Sequence, residues 1–431
     1  MTTKVIKGEI LSSGLSAYGV LKIIRSKKDL KSVKPKEIIY LSRKVIVGDG
    51  LLNIYTLAVK GVTGIITNTG GKTDHGTVIA SEFGITRLLI PPDKEIEEQL
   101  LQLEGHELYI SKDGKIIDSK PSLFKSQVTK DLIKIPKTKH KVMINIGFPQ
   151  ILTKYPQLAK IADGVGLVRI EFVLLGVLNG LHPRLFLKKY GRKLFVNKLA
   201  EELERIVFPF DKEGKEVWFC TNDFTPGDLF QFKDGENEII EKNPALGYRG
   251  MSRSLNEPQI MLIPEILAIK QLVDKGYRKL GVFTPMSRFF SEYMSWKKFI
   301  ENSGLKNIKL GLQIETPSIA LTFERFIPYV DFVSFGSNDL TQFTLALDRT
   351  DPRLQKYFNE SDEAVIKLFS GVIKLCRKNN IESNICGQAG SNWKILENLL
   401  DLGLDSTSVF PRPEVVANIK QKIALKEKAM S

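Results

Sequence analysis

The stretch TNTGGKTDHGTVIASEFGI, residues 67–85, sets His75 directly behind a Gly-Gly pair and ahead of an apolar helical run. The chain has four histidines, and His106, His140 and His182 have no comparable surroundings. An imidazole nitrogen is nucleophilic at neutral pH and accepts a phosphoryl group. The oriented N–H groups of a helix start favour that phosphate once it is attached. At this point the alternative is a histidine that caps the helix or packs in its core.

Other residues of chemical interest lie much further along. Glu315 follows the apolar run LGLQI, and Asp339 follows FVSFGSN with Asn338 just before it, so both acids emerge where a strand meets a loop. Carboxylates from neighbouring strands converge on one hard cation: Mg²⁺ takes one or two of them and completes its octahedron with water and substrate oxygens. Singly, each is an ordinary loop or cap residue. Arg169 lies inside GVGLVRI and Arg249 in NPALGYRG. A guanidinium in an apolar strand is costly to desolvate unless an anion meets its fork. Phosphate is one such anion, and a facing acid such as Glu171 is another. Cys386, in NICGQAG, ends another apolar run. It reads as an inert buried thiol or, beside a cation and arginines, as a general acid.

These side chains need a frame. After His140 the runs KVMINIG, GVGLVRI, EVWFCTN, KLGVFTP, LGLQIE, DFVSFGS, SNICGQ and STSVFP recur with enough chain between them for helices. Eight such runs predict parallel strands and an α/β architecture, a (β/α)8 TIM-type barrel over residues 141–431 with its chemistry at the downstream strand ends. An open doubly wound sheet is the alternative. Residues 1–118 alternate short strand-like runs with Gly-containing turns and close on an Asp113-Gly114 hairpin turn, which predicts a small α/β module. Residues 119–140 are punctuated by Lys and Pro and read as a linker.

Composition narrows the class. A chain of 431 residues, 42% hydrophobic, 9% aromatic and 26% charged, is an ordinary globular protein with room for two or three domains. No run of about 18 uncharged apolar residues occurs, which argues against a membrane span, and the first residues have no apolar signal core, so a cytoplasmic protein is expected. The three cysteines show no C-x-x-C spacing, in keeping with a reducing compartment. The net charge of +14 fits a solvated surface, an acidic partner or an anionic substrate. The basic residues are spread, with no block interleaved with aromatics, so no nucleic-acid site is expected.

Taken in order, GGKTDHGTVIASEFGI, DGVGLVRIEFVL, NPALGYRGMSR, GLQIETPSIALT, VDFVSFGSNDLTQFTLALDRTD and ICGQAGS resemble the family of phosphoenolpyruvate-utilising enzymes. The resemblance runs from about Gly8 to Pro411 and is nearest to the phosphoenolpyruvate synthase branch. It implies a swivelling phosphohistidine domain followed by a barrel that binds phosphoenolpyruvate or pyruvate. His75 matches the histidine that carries the phosphoryl group, with Thr73 its neighbour. Arg169 and Arg249 match phosphate-holding arginines, Asn338 a substrate contact, Glu315 and Asp339 the Mg²⁺ ligands, and Cys386 the thiol that moves a proton at the enolate carbon.

The resemblance also implies a homodimer formed through the barrel. Because the sequence starts at the swivel domain, the synthase's ATP-grasp-type ATP-binding domain is expected on a separate subunit. An enzyme-I-like phosphotransferase to a carrier protein, or a catalytically impaired regulatory or binding paralogue, are the alternatives. Three positions depart from the family pattern. Cys220 stands where an arginine ends the strand EVWFCTND, Asp74 where Ser or Cys is usual, and Ser81 where Arg is usual. Each implies a less positive phosphate environment, with Arg253 and Arg288 as nearby replacements for the lost arginine.

Overall fold

The computed structural model describes residues 6–12, 16–26, 28–41, 51–71, 74–118, 135–349, 351 and 353–430. Thr73 and residues 119–134 of the expected linker lie outside them. The chain divides into two compact units, Met1–Leu132 with Asp348–Gln355, and Ile133–Leu347 with Lys356–Ser431.

In the first unit, strands β1 (Ile6–Lys7), β2 (Glu9–Ile10), β3 (Ala17–Ile24), β4 (Ile38–Leu41), β5 (Gly64–Thr67), β6 (Thr86–Leu89), β7 (Glu107–Ile110) and β8 (Lys115–Asp118) form one mixed sheet. Its order is β1-β8-β7-β3-β4-β5-β6-β2, parallel from β3 to β6 and antiparallel at both flanks. The expected hairpin turn joins β7 to β8: Gly114 sits at φ 77°, a backbone region where a side chain is strained, and its N–H donates to the Ser111 carbonyl. Alternate residues such as Leu21, Ile23, Ile38, Tyr40, Leu108 and Ile110 form the core on one face.

The second unit is built on a closed parallel barrel of β9 (Lys141–Ile146), β10 (Gly164–Arg169), β11 (Glu216–Cys220), β12 (Leu280–Thr284), β13 (Lys309–Ile314), β14 (Phe332–Phe335), β15 (Glu382–Ile385) and β16 (Ser406–Val409), with β16 pairing back onto β9. Closure excludes the open-sheet alternative. Among the described residues, no helix is long and apolar enough to cross a membrane.

Successive side chains of a strand point to opposite faces, so the interior fills in layers contributed by alternate strands. The first residues of β9, β11, β13 and β15 are Lys141, Glu216, Lys309 and Glu382. They meet at the base in a ring of alternating charge, with contacts of 2.5 to 3.6 Å. Above them Trp218 of β11 stacks on Phe332 of β14, with ring centroids 4.1 Å apart. Gly311 leaves the room that this needs, because a Cβ there would run into the Phe332 ring. Four residues beyond those strand starts, Asn145, Cys220, Gln313 and Cys386 form the next layer, and the chemistry-bearing residues stand over it.

Candidate active site

At the downstream end of the barrel, Glu315 follows β13 and Asp339 lies in the first turn of the helix Ser337–Leu345, next to Asn338; all three are buried. Glu315 Oε2 accepts from the Met286 N–H (2.7 Å) and Oε1 from Gln313 Nε2 (2.9 Å). Burial, then the nearby charges of Asp339 and Asp223, push the Glu315 pKa up, and Arg249 only partly opposes them. Such crowding of buried negative charge is the environment that a hard cation relieves. Glu315 and Asp339 are the carboxylates available to hold one. Among the described residues no group of three or more His, Cys, Asp or Glu side chains forms a cage, so the donor set suits an ion that keeps water or substrate oxygens.

Arg249 precedes the helix Gly250–Asn256 and is buried. Its Nε donates to Asp223 Oδ1 (3.0 Å) and its Nη2 to Asp223 Oδ2, while Nη1 reaches Asp339 Oδ1 at 3.4 Å. Burial alone would lower its pKa, but the Asp223 and Asp339 charges outweigh burial and hold it above the usual guanidinium value. Arg169, at the end of β10, lies 3.5 Å from Glu171 and over the Phe172 ring. The facing-acid arrangement weighed for Arg169 is therefore present, loosely. The positive charge of Arg169 also lowers the pKa of Cys386.

Cys386 is 1% exposed. Its thiol is pushed up to about 11, first by burial and then by Glu315, against the lowering effects of Ser334 and Arg169. Cys220 is buried too, with its thiol raised by burial and by Glu171. Neither expected replacement points its guanidinium at it. Arg253 donates two hydrogen bonds to the Glu238 carboxylate (2.6 and 2.9 Å), and Arg288 donates to the Gly247 carbonyl and to Ser252 Oγ.

In the first unit His75 is the first residue of the helix His75–Phe83 and is half-buried, while Gly76 to Glu82 are buried. Asp74 caps that helix, accepting from the N–H groups of Thr77 (2.6 Å) and Gly71 (2.8 Å). Arg87, wholly buried on β6, donates to Asp74 Oδ1 at 2.5 Å and to Thr77 Oγ1 at 2.7 Å. Asp74 thus takes up the charge of a buried guanidinium, in keeping with the expectation that it makes this region less positive than a neutral residue would. Gly70, at φ 109°, leaves the space that Arg87 and Asp74 occupy.

Asp223 follows an apolar strand much as Glu315 and Asp339 do, and that position marks it from the sequence as lining the barrel's downstream face. Two other residues of this arrangement escaped the sequence reading. Glu265, an acid inside the apolar helical run LIPEILAI, accepts from the N–H (3.1 Å) and Nδ2 (2.8 Å) of Asn222, beside Asp223. Gln313, next to Glu315 on the inward face of β13, gave no signal beyond being polar within an apolar run.

A closed barrel with buried acids, an arginine and a thiol at its downstream end, together with a separate α/β unit presenting a helix-start histidine, defines a two-part enzyme architecture. Residues 41–97 match the profile of the PEP-utilising enzyme mobile domain and residues 122–428 that of the PEP-utilising enzyme PEP-binding domain. The chain belongs to the phosphoenolpyruvate-utilising enzyme family. It is 34% identical over 394 residues to phosphoenolpyruvate synthase of Pyrococcus furiosus, covering 86% of this chain and 46% of that protein. It is 33% identical over 440 residues to a probable phosphoenolpyruvate synthase of Archaeoglobus fulgidus, covering 98% and 55%. The chain thus spans about half the length of the curated relatives it matches.

Proposed function

We propose that the chain moves a phosphoryl group between phosphoenolpyruvate or pyruvate and His75, as the phosphohistidine and barrel parts of a phosphoenolpyruvate synthase-like phosphotransferase. The observation that carries this is the burial of Glu315, Asp339, Asp223 and Arg249 together at the barrel's downstream end, where Arg249 bonds both aspartates. Glu315 and Asp339 would hold Mg²⁺, which when bound neutralises developing charge on the enolate and phosphoryl oxygens. Arg249 and Arg169 would grip the phosphate, Arg249 by exchanging part of its carboxylate contact for phosphate oxygens. Asn338 would contact the substrate. Cys386 would exchange a proton with the methyl or methylene carbon.

His75, on a mobile domain of residues 1–118 joined by residues 119–140 to the barrel, would carry the phosphate between sites. Its donor is proposed to be an ATP-binding module outside these 431 residues, and a dimer through the barrel is proposed for the assembly. Cys220, with Arg253 and Arg288 engaged elsewhere, favours a second reading, an impaired paralogue that binds without turnover.

The test is incubation of the protein with Mg²⁺ and phosphoenolpyruvate. Acid-labile phosphate on His75 and stoichiometric pyruvate are expected, and both should be lost in His75→Ala. A folded protein with neither product would reject transfer and leave the binding reading.

A further inference from the structure

In the layer beneath the site, two residues that the transfer scheme does not use, Cys220 and Gln313, bond to two that it does. Cys220 Sγ donates to Gln313 Oε1 at 3.2 Å, while Gln313 Nε2 donates to Glu315 Oε1 at 2.9 Å and reaches Cys386 Sγ at 3.7 Å. All four residues are buried. The carboxamide has one workable orientation. Flipped, it would set its oxygen against the Glu315 carboxylate and turn that attraction into repulsion, so the Glu315 contact decides which way the amide points. The Cys386 backbone is held as well: its carbonyl accepts from Asn145 Nδ2 (2.8 Å) and its N–H donates to the Phe335 carbonyl (3.0 Å). What remains to be set is the direction of the thiol, which lies between the Phe335 carbonyl (3.4 Å) and the Gln313 N–H.

We infer that Gln313 is a positioning residue for proton transfer at Cys386, and that Cys220 and Glu315 together hold its carboxamide. The inference rests on the reading of Cys386 given under the proposed function. In the step concerned, the Cys386 S–H bond breaks as a C–H bond forms at the enolate methylene carbon, using the electron pair of its C=C bond. The S–H pair stays on sulfur. Negative charge thus develops on a sulfur with little water around it, where one oriented N–H counts for more than it would in solvent. The same carboxamide holds Glu315, so the thiol and the carboxylate are placed by one group. Cys220 then has a use of its own at the position where the family pattern has arginine.

The test uses the full chain and the variants Gln313→Leu, Cys220→Ala, Cys220→Ser and Cys386→Ala, each checked for folding by thermal melting. Two rates are measured: exchange of pyruvate methyl protons with D2O in the presence of Mg²⁺, by NMR, and alkylation of Cys386 by iodoacetamide, by peptide mass mapping. Cys376, buried on the helix Glu363–Lys378, serves as the internal control for opening of the fold. Gln313→Leu is expected to slow methyl exchange ~100-fold or more and to slow Cys386 alkylation about tenfold, with Cys376 unaffected. Cys220→Ala should slow exchange by a smaller factor and Cys220→Ser should restore it. Unchanged Cys386 alkylation in folded Gln313→Leu would overturn the inference, whatever the exchange rate. Wild-type protein that exchanges no faster than Cys386→Ala would instead sink the reading of Cys386, and the alkylation arm would still decide whether Gln313 orients the thiol.

Discussion

The carboxylate of Asp74 gathers the N–H groups of Gly71 and Thr77 and the guanidinium of Arg87, all inside the unit that carries His75. Removing one partner of a buried pair leaves the other charge uncompensated. Asp74→Ala is therefore expected to cost about 3–5 kcal/mol in that unit's stability, measured by urea unfolding. A loss under ~1 kcal/mol would mean that Arg87 contributes little as a partner. Packing decides what Cys220→Arg does. The thiol packs with Met143, Leu167, Trp218, Phe283, Phe332 and Cys386 and is bonded to Gln313, so a guanidinium arriving there meets a filled interior. Although the Glu171 and Glu315 carboxylates offer it partners, overpacking predicts a loss of roughly 1–3 kcal/mol and no gain in turnover. A gain in pyruvate formation without loss of melting temperature would show that the layer makes room.

At the scale of elements, the loop after β11 is held from behind by Glu265 on the helix Leu262–Asp274, and its hold on Asn222 sets the neighbouring Asp223 that grips Arg249. Burial raises the Glu265 carboxyl to about 8 in the folded chain. Its protonated form is thus favoured by folding. That contribution to stability is full below the ordinary carboxyl value and is lost as pH rises through about 8. Stability is expected to fall across this window by up to ~1.4 kcal/mol per pH unit from this group, and Glu265→Gln should flatten the slope in melts at pH 5 to 9. An identical slope in the variant would refute the assignment. The eight barrel strands were legible because strands covered on both faces read as unbroken apolar runs. Glu315 and Asp339 were legible because strand ends are where a barrel does chemistry. Gln313, Glu265 and Arg87 were not, because each takes its meaning from a partner that only folding supplies: Cys386 73 residues on, Asn222 43 residues back, and Asp74 13 residues back at the far end of the helix that precedes β6.

At the scale of the molecule, every strand of the barrel lies between Lys141 and Val409, and its ladder closes on itself without borrowing from the first unit's sheet. The first unit likewise has a core of its own. A unit whose edges are all paired and whose interior is filled, from the Lys–Glu ring at the base to the Cys220–Gln313–Cys386 layer near the top, has what it needs to fold alone. A fragment of residues 135–431 is therefore expected to melt in one cooperative transition and to exchange pyruvate methyl protons in Mg²⁺ within about threefold of the full chain, since general acid chemistry needs the barrel's groups and not His75. Phosphoryl transfer should be absent from it. A fragment that folds but exchanges no protons would mean that residues before 135 help to form the proton-transfer site, and a fragment that does not fold would place part of the barrel's stability in the first unit.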